Sequence, residues 1–561
     1  MTEVSANANI ARHLASMAER QPSQPALKVP RGRTRAGDID YLTLSFAELD
    51  AEVSAWVDRL GRAGVQRGDR TLVMVRQGLP LIASAFALFR LGAVPVIIDP
   101  GMGLKNFLAC VARSRPRALV GIPLAQLVSR FFRRPFKTVD VRISASPALT
   151  ARLTRAGAPR ATSDAQLAKS AATDLAAVLF TSGSTGAPKG VCYEHGMFEA
   201  QVRLIRETFG IEPGEIDLPM LPIFALFNPA LGMTTVVPEI DPRRPAAVDP
   251  GKIVQAIRQE KITNSFGSPT LWRKIGAHCI EHGITLPTLR RVLCAGAPVP
   301  SALWTDSRRW LTAGELHSPY GATESLPVST ISASEQCHIM YDTASGPPAP
   351  GRGACVGRPV KEMEVKIVAI TDEPVATLAE ARELPPGEIG EIVVRGPVVT
   401  RTYDAAPEAT RLAKIQDVAS GGVWHRLGDC GYRDADGRIW FCGRKAERVQ
   451  TATGVLFTEP CEQIFRTHPR VQRCALIGLG VPGRQRPAIV VEIALTNSAQ
   501  SRALAHELRL LAREHAITAG ISLFYFRPKF PVDVRHNAKI HRLTLARWAE
   551  KAKGFQSDPK R

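Results

Sequence analysis

Residues Leu179 to His195 read LFTSGSTGAPKGVCYEH, a run of glycine and hydroxyl residues with one lysine, pinned between two apolar stretches. A Walker A loop, G-x-x-x-x-G-K-[ST], leads into a helix whose N-terminus meets the phosphates. Here Lys189 follows Pro188, and the residues after it, GVCYEH, read as a strand. The expected unit is therefore strand–loop–strand. Backbone amides and the hydroxyls of Thr181, Ser182, Ser184 and Thr185 are placed to wrap a polyphosphate, with Lys189 as a point charge. Gly183, Gly186 and Gly190 give the backbone room. Glycine, serine and threonine are also ordinary turn residues, so composition alone favours a plain hairpin. Ten consecutive residues of the form T-S-G-S-T-G-x-P-K-G reverse that preference.

The surroundings of the loop indicate an α/β fold. Ser45-Phe-Ala-Glu48 fits a capping box ahead of a helix over LDAEVSAWVDRLGRAG. RTLVMV then reads as a buried strand, Leu81 to Leu91 as a helix, and AVPVIID as a strand, which argues for a parallel sheet. Near Gly387 the pattern changes to short strands and turns, with DADG as a hairpin signal. A chain of 561 residues is too long for one hydrophobic core, so at least two domains are expected. We expect residues 1–443 to form a large N-terminal α/β region with a β-rich subdomain. Residues 444–448 are expected to form a hinge, and 449–561 a small α+β domain in which Leu504, Leu508 and Leu511 fall at helical spacing.

The formal charge of +20, from 72 basic and 52 acidic residues, suits nucleotides, carboxylates or an anionic membrane surface. The basic residues are scattered, which disfavours nucleic acid. Ten cysteines without a C-x-x-C pair argue against zinc and disulfides and for a reduced, cytoplasmic setting. The N-terminus has no apolar signal region. The most apolar stretch, LPLIASAFALFRLGAVPVIIDP, carries Arg90 and prolines and reads as a buried helix and strand, not a membrane span.

Further motifs follow the loop: YGATE at Tyr320 to Glu324 after CAGAPVP, WHRLGD ending at Asp429, GRKAERV from Gly443, and DVRHNAKIHR around Lys539. In this order they resemble the adenylate-forming superfamily of acyl-CoA synthetases, luciferases and peptide-synthetase adenylation domains. The resemblance runs through nearly the whole chain and implies the adenylate-forming fold with a mobile C-terminal domain. It implies that ATP is bound by Thr181 to Gly186, Lys189, Gly296, Ala297, Pro298, Tyr320, Gly321, Thr323, Asp429 and Arg444. Tyr320 would stack on adenine, Thr323 touch the α-phosphate, Glu324 hold Mg²⁺, and Asp429 and Arg444 meet the ribose. Lys539 would be the adenylating lysine, and the catalytic set would be Lys539, Glu324, Thr323 and Lys189. Such a charge clamp lets a carboxylate attack the α-phosphorus of ATP.

The chain also departs from the superfamily's pattern. In LPIFALFN, Ala225 stands where many CoA-forming relatives have a histidine, and with Phe224, Phe227 and Gly267 it is assigned to the acyl pocket. VQTATGVLFTEPCEQ replaces the usual post-hinge segment of the CoA ligases. This combination is most similar to the β-lactone synthetases of bacterial long-chain olefin biosynthesis. It implies a 2-alkyl-3-hydroxy fatty acid whose own 3-hydroxyl displaces AMP, and partner enzymes of the same pathway. A long-chain fatty acyl-CoA ligase or fatty acyl-AMP ligase is the alternative. His195, His317 and His425 are unranked candidates for a base on the 3-hydroxyl. RFFRRPFK, Arg130 to Lys137, reads as a solvated loop or as a contact with a membrane surface or a partner.

Overall fold

A computed structural model describes residues 7–145, 167–181, 188–241, 247–341, 351–533 and 539–557. The expected strand–helix–strand series forms a six-stranded sheet. In spatial order its strands are Val141–Ser144, Ala118–Gly121, Arg70–Met74, Val94–Ile98, Leu175–Thr181 and Lys189–Glu194. Every pair is parallel except the last, where Thr181 lies opposite Lys189 in an antiparallel register. That pairing brings the two ends of the glycine-rich loop together, and it is why the loop does not open a helix as a Walker A loop does. Ser182, Gly183, Ser184, Thr185 and Gly186 lie outside the described residues.

The helix Phe46–Arg62 begins with the expected capping box, Ser45 accepting from the Glu48 amide and Glu48 from the Ser45 amide. It packs on the helix Leu79–Leu91. Arg90, the charge inside the most apolar stretch, is buried and neutralised there by Asp50, while its Nη1 donates to Ser54 at 2.9 Å. Burying a cation costs several kcal/mol unless it is paired, which accounts for the carboxylate and hydroxyl on the facing helix. No helix among the described residues is long and apolar enough to cross a membrane.

A second, 14-stranded sheet has two parts. Its central strands Thr234–Val236, Ile216–Asp217, Asn264–Gly267, Arg291–Cys294 and Glu315–Ala322 run parallel. From Ser325–Ser332 onward, through Ala354–Pro359, Ile439–Arg444, Gly422–Arg433, Gly390–Arg395 and Glu364–Val368, every pair is antiparallel. The antiparallel half begins at Ser325, upstream of the change in texture near Gly387, and two of its tight hairpins follow that glycine. Asp434–Gly437 is one of those hairpins.

After the short turn Lys445–Glu447 the chain forms a four-stranded sheet of Cys474–Leu479, Arg486–Glu492, Leu523–Arg527 and Phe555–Gln556, with the helix Ser498–Arg513 beside it. Two apolar clusters here draw only on residues from Val449 onward, with Leu504 and Leu508 buried and Leu511 partly so. All ten cysteines are free, and nine are buried. Among the described residues no cluster of three or more ligating side chains can hold a metal.

Candidate active site

The parallel sheet, the large sheet and the C-terminal part enclose one continuous cavity of about 2800 Å³. Single-ligand pockets usually hold roughly 300–1,000 Å³. This cavity therefore has room for a nucleotide and a bulky second group together.

Its polar end is built on the turn Thr323–Glu324 between the strands Glu315–Ala322 and Ser325–Ser332. Gly321 makes this hairpin possible, because a Cβ there would come 2.4 Å from the Ser325 carbonyl oxygen. Tyr193, on the return strand of the glycine-rich loop, donates to the Thr323 carbonyl at 2.5 Å and ties loop to turn. Tyr403 donates to Glu324 Oε1 at 2.7 Å. Its own segment is laced to both neighbours. The Thr400 amide donates to the Glu324 carbonyl at 2.9 Å, and the Asp404 amide to the Gly190 carbonyl at 2.7 Å. Lys189 Nζ lies 4.9 Å from the centre of the Tyr403 ring. Burial and the neighbouring carboxylate push the Tyr403 hydroxyl pKa far up, so it stays a donor.

Lys414 was not anticipated. It is buried, donates to the Thr400 carbonyl and, at 3.2 Å, to the Thr400 hydroxyl, and its Nζ is 5.9 Å from the Tyr403 ring centre. Burial lowers its pKa to about 7, with Glu324 opposing the shift.

On the next strands, Tyr320 donates to Asp429 Oδ2 at 2.6 Å, and Arg444 Nη1 lies 2.9 Å from Asp429 Oδ1. That second contact lacks hydrogen-bond alignment, so the buried Oδ1 accepts no hydrogen bond. An unsatisfied buried carboxylate oxygen is costly. Here Arg444 neutralises the carboxylate, and Asp429 lines the cavity. Burial raises the Asp429 pKa, while Arg444, Tyr320 and Lys539 hold it down. Lys539 lines the same cavity. Its amide donates to Asp533 Oδ1 at 2.8 Å, and the Asp533 amide donates back to its carbonyl at 3.1 Å. The helix that follows is anchored by Arg542, which donates to both oxygens of Glu462 at 2.7 and 2.8 Å and to Glu447 at 3.0 Å. Glu447 lies in the Lys445–Glu447 turn, so one half-buried cation connects that turn to the segment carrying Lys539.

Gly296, Ala297 and Pro298 line the cavity beside Tyr320. Gly296 has φ of 99°, a conformation that side chains resist.

The apolar end has a wall of aromatics, of which Phe224, Phe227 and Phe198 are partly exposed and Phe266 and Phe89 buried. Phe224 stacks on Phe266 with centroids 3.8 Å apart, and Phe227, Phe198 and Phe89 continue the series at 5.9 to 6.3 Å. Two residues assigned to the pocket stand elsewhere. In the 3₁₀ turn Pro222–Leu226, Ile223, Phe224 and Leu226 face the cavity, whereas Ala225 points into the core with Ala230 and Leu231. Gly267 lies behind the wall, where a Cβ would come 2.4 Å from Met220 Cε and 2.9 Å from Trp272 Nε1. Met220 and Phe266 line the cavity in its place.

Of the three histidines, only His425 lines the cavity. Its Nδ1 is 3.1 Å from the Ala413 carbonyl, and burial with the Lys414 and Lys189 charges pushes its pKa well below the usual value. A neutral imidazole with Nδ1–H on that carbonyl leaves Nε2 as an acceptor. His195 is buried and accepts from the Ile10 amide at 3.3 Å, and His317 packs on Phe209 at 5.6 Å.

The sequence and the fold match those of known proteins. Residues 14–404 match the AMP-binding enzyme family model. The olefin β-lactone synthetase of Xanthomonas campestris pv. campestris is 45% identical over 552 residues, covering 96% of this chain and 97% of that one. The olefin β-lactone synthetase of Stenotrophomonas maltophilia is 44% identical over 553 residues, covering 96% and 98%. Among solved structures, the amide bond synthetase McbA from Marinactinospora thermotolerans superposes with a TM-score of 0.75 at 22% identity, covering 96% of this chain and 99% of that one. The O-succinylbenzoate Coenzyme A synthetase from Bacillus subtilis, in complex with AMP, gives 0.74 at 20% identity, covering 98% and 99%. The adenylate-forming fold is thus shared, and the chain belongs to the AMP-binding enzyme family, in the branch that holds the olefin β-lactone synthetases.

Proposed function

We propose that this protein uses ATP to convert a 2-alkyl-3-hydroxy long-chain fatty acid into a β-lactone through an acyl-AMP, releasing pyrophosphate and AMP. The observation that carries the reading is the single cavity, which joins Glu324, Asp429 and Lys539 at one end to the Phe224–Phe266 wall at the other. Near-full-length identity to two olefin β-lactone synthetases supports the product.

The residues fit the nucleotide. The Asp429 carboxylate accepts a ribose hydroxyl, Tyr320 holds its Oδ2 in place, and Gly296 to Pro298 line the same cavity. They also fit Mg²⁺, which ordinarily binds one or two carboxylates together with substrate phosphates. Among the described residues only Oε1 of Glu324 is engaged, leaving Oε2 for the ion. When bound, Mg²⁺ neutralises phosphate charge. Lys539 draws the substrate carboxylate toward the α-phosphate and stabilises the charge that develops there. Lys189 and the loop it closes take the departing pyrophosphate.

In the second step the 3-hydroxyl oxygen bonds to the acyl carbon, and the bond from that carbon to the AMP oxygen breaks. The hydroxyl proton passes by way of Nε2 of His425, the histidine at the cavity wall, to the phosphate of the departing AMP. An intramolecular nucleophile needs no second substrate, since proximity supplies effective molarities of about 10⁵ M or more. Rotation about residues 444–448 then withdraws Lys539 and frees the product. Enzymes that make the hydroxy acid and consume the lactone complete the pathway as partners.

The test incubates protein, ATP, Mg²⁺ and a synthetic 2-alkyl-3-hydroxy fatty acid without CoA. Lactone ring protons by NMR, with one AMP per product, establish the reading. Accumulated acyl-AMP that turns into thioester when CoA is added makes the enzyme a ligase and overturns it.

A further inference from the structure

The helix Pro123–Phe131 leaves Leu124, Leu127 and Phe131 in water, at 63%, 64% and 79% exposure. Their i, i+3, i+7 spacing sets them on one narrow face, while Ala125 and Ser129 bury the opposite face. Leu104, 56% exposed, opens the helix Leu104–Ser114. The two helices share a single apolar cluster through Phe107, Val111 and Val128, and both begin at the cavity, at Gly103 and at Pro123 and Leu124. Scattered single apolar residues need no explanation, but a grouped stripe does.

The charge around the stripe has one sign. Between Asp99 and Asp140 the chain contains no acidic residue. Arg113 holds the Pro188 carbonyl, and Arg117 pairs with Asp69. Lys105, Arg115, Arg130, Arg133, Arg134 and Lys137 are exposed, and none of them forms an ion pair among the described residues. The cavity also opens here, since Gly101, Gly103, Pro123 and Leu124 are at once exposed and part of its wall.

We propose that the helix Pro123–Phe131, with Leu104 and the basic segment after it, docks this protein on an anionic lipid bilayer and sets the cavity mouth against the interface. Apolar side chains enter the headgroup boundary while flanking cations meet lipid phosphates, the pairing that holds amphipathic helices on membranes. Nucleic acid would satisfy the cations and leave the leucines in water. Docked this way, the mouth receives long-chain molecules from the layer in which they dissolve.

The test is flotation of the full chain with phosphatidylcholine vesicles, with and without phosphatidylglycerol, at low and high salt. It uses neither ATP nor an acyl substrate, so its failure leaves the lactone reading standing. The protein floats with anionic vesicles, and added salt releases it. Arg133→Ala with Arg134→Ala weakens partitioning about 30-fold, from about fivefold for each cation near the surface. Phe131→Ser and Leu127→Ser weaken it independently, with unchanged melting temperature. No binding to anionic vesicles, equal binding to neutral ones, or variants that bind like the parent would each overturn the proposal. So would self-association of the parent that Phe131→Ser abolishes, which would assign the stripe to a second copy of the chain.

Discussion

Lys414→Met isolates the least expected group in the site. Burial lowers the Lys414 pKa from 10.5 to about 7 in the folded protein. Below pH 7 the folded state carries a buried charge that the unfolded chain carries in water, so the lysine destabilises. Between pH 7 and 10.5 the unfolded chain binds more protons, so stability rises with pH across that window. At about 1.4 kcal/mol per pH unit, the cost is roughly 5 kcal/mol at pH 6 and about 2 kcal/mol at pH 9. Methionine fills similar space without charge, but it leaves the Thr400 carbonyl and hydroxyl without their donor. That loss, about 1–3 kcal/mol, does not vary with pH. The difference between variant and parent should therefore shift by about 3 kcal/mol against the variant from pH 6 to pH 9. Urea unfolding at fixed pH without nucleotide reads it through tryptophan fluorescence, to which Trp424, paired with Ile415 beside Lys414, contributes among seven. A pH-independent difference would show that Lys414 keeps its proton in the folded state and would refute the argument.

Three further outcomes follow from the geometry. Tyr403→Phe frees Glu324 Oε1 and should lower kcat/KM of pyrophosphate release about 10- to 100-fold, a loss of about 1.5–3 kcal/mol, with little change in melting temperature. Asp429→Asn removes the charge from the ribose acceptor and should raise the KM for ATP about tenfold or more in ATP–pyrophosphate exchange, while the KM for the acid holds. His425→Asn should keep ATP–pyrophosphate exchange near the parent's and slow lactone release, so that acyl-AMP accumulates in quenched reactions; equal loss of both steps would remove His425 from the second one.

Elements whose signals are local are legible in the sequence. The capping box at Ser45, the antiparallel return of Lys189–Glu194 and the Asp434–Gly437 turn each rest on a few adjacent residues. Gly321 was legible as part of a motif, and its reason, the Ser325 carbonyl 2.4 Å from an added Cβ, is local too. Tyr403, Lys414 and Tyr193 carry no such signal. Each acts on a group 14 to 130 residues away, Tyr193 across from the six-stranded sheet to the large one, Tyr403 and Lys414 within the part of the chain that builds the large sheet. Ala225 and Gly267 fail for the opposite reason. Their neighbours line the cavity, but a turn or strand sends adjacent side chains to opposite sides, and one position of register separates wall from core.

The account's central claim is that the carboxylate is activated as an acyl-AMP and closed by its own hydroxyl. Substrate labelled with ¹⁸O in both carboxyl oxygens tests it most directly. The account predicts one ¹⁸O in AMP and one in the lactone carbonyl, with an unlabelled ring oxygen. Unlabelled AMP with both labels in the lactone would mean that the hydroxyl is activated and the carboxylate attacks, and would contradict it.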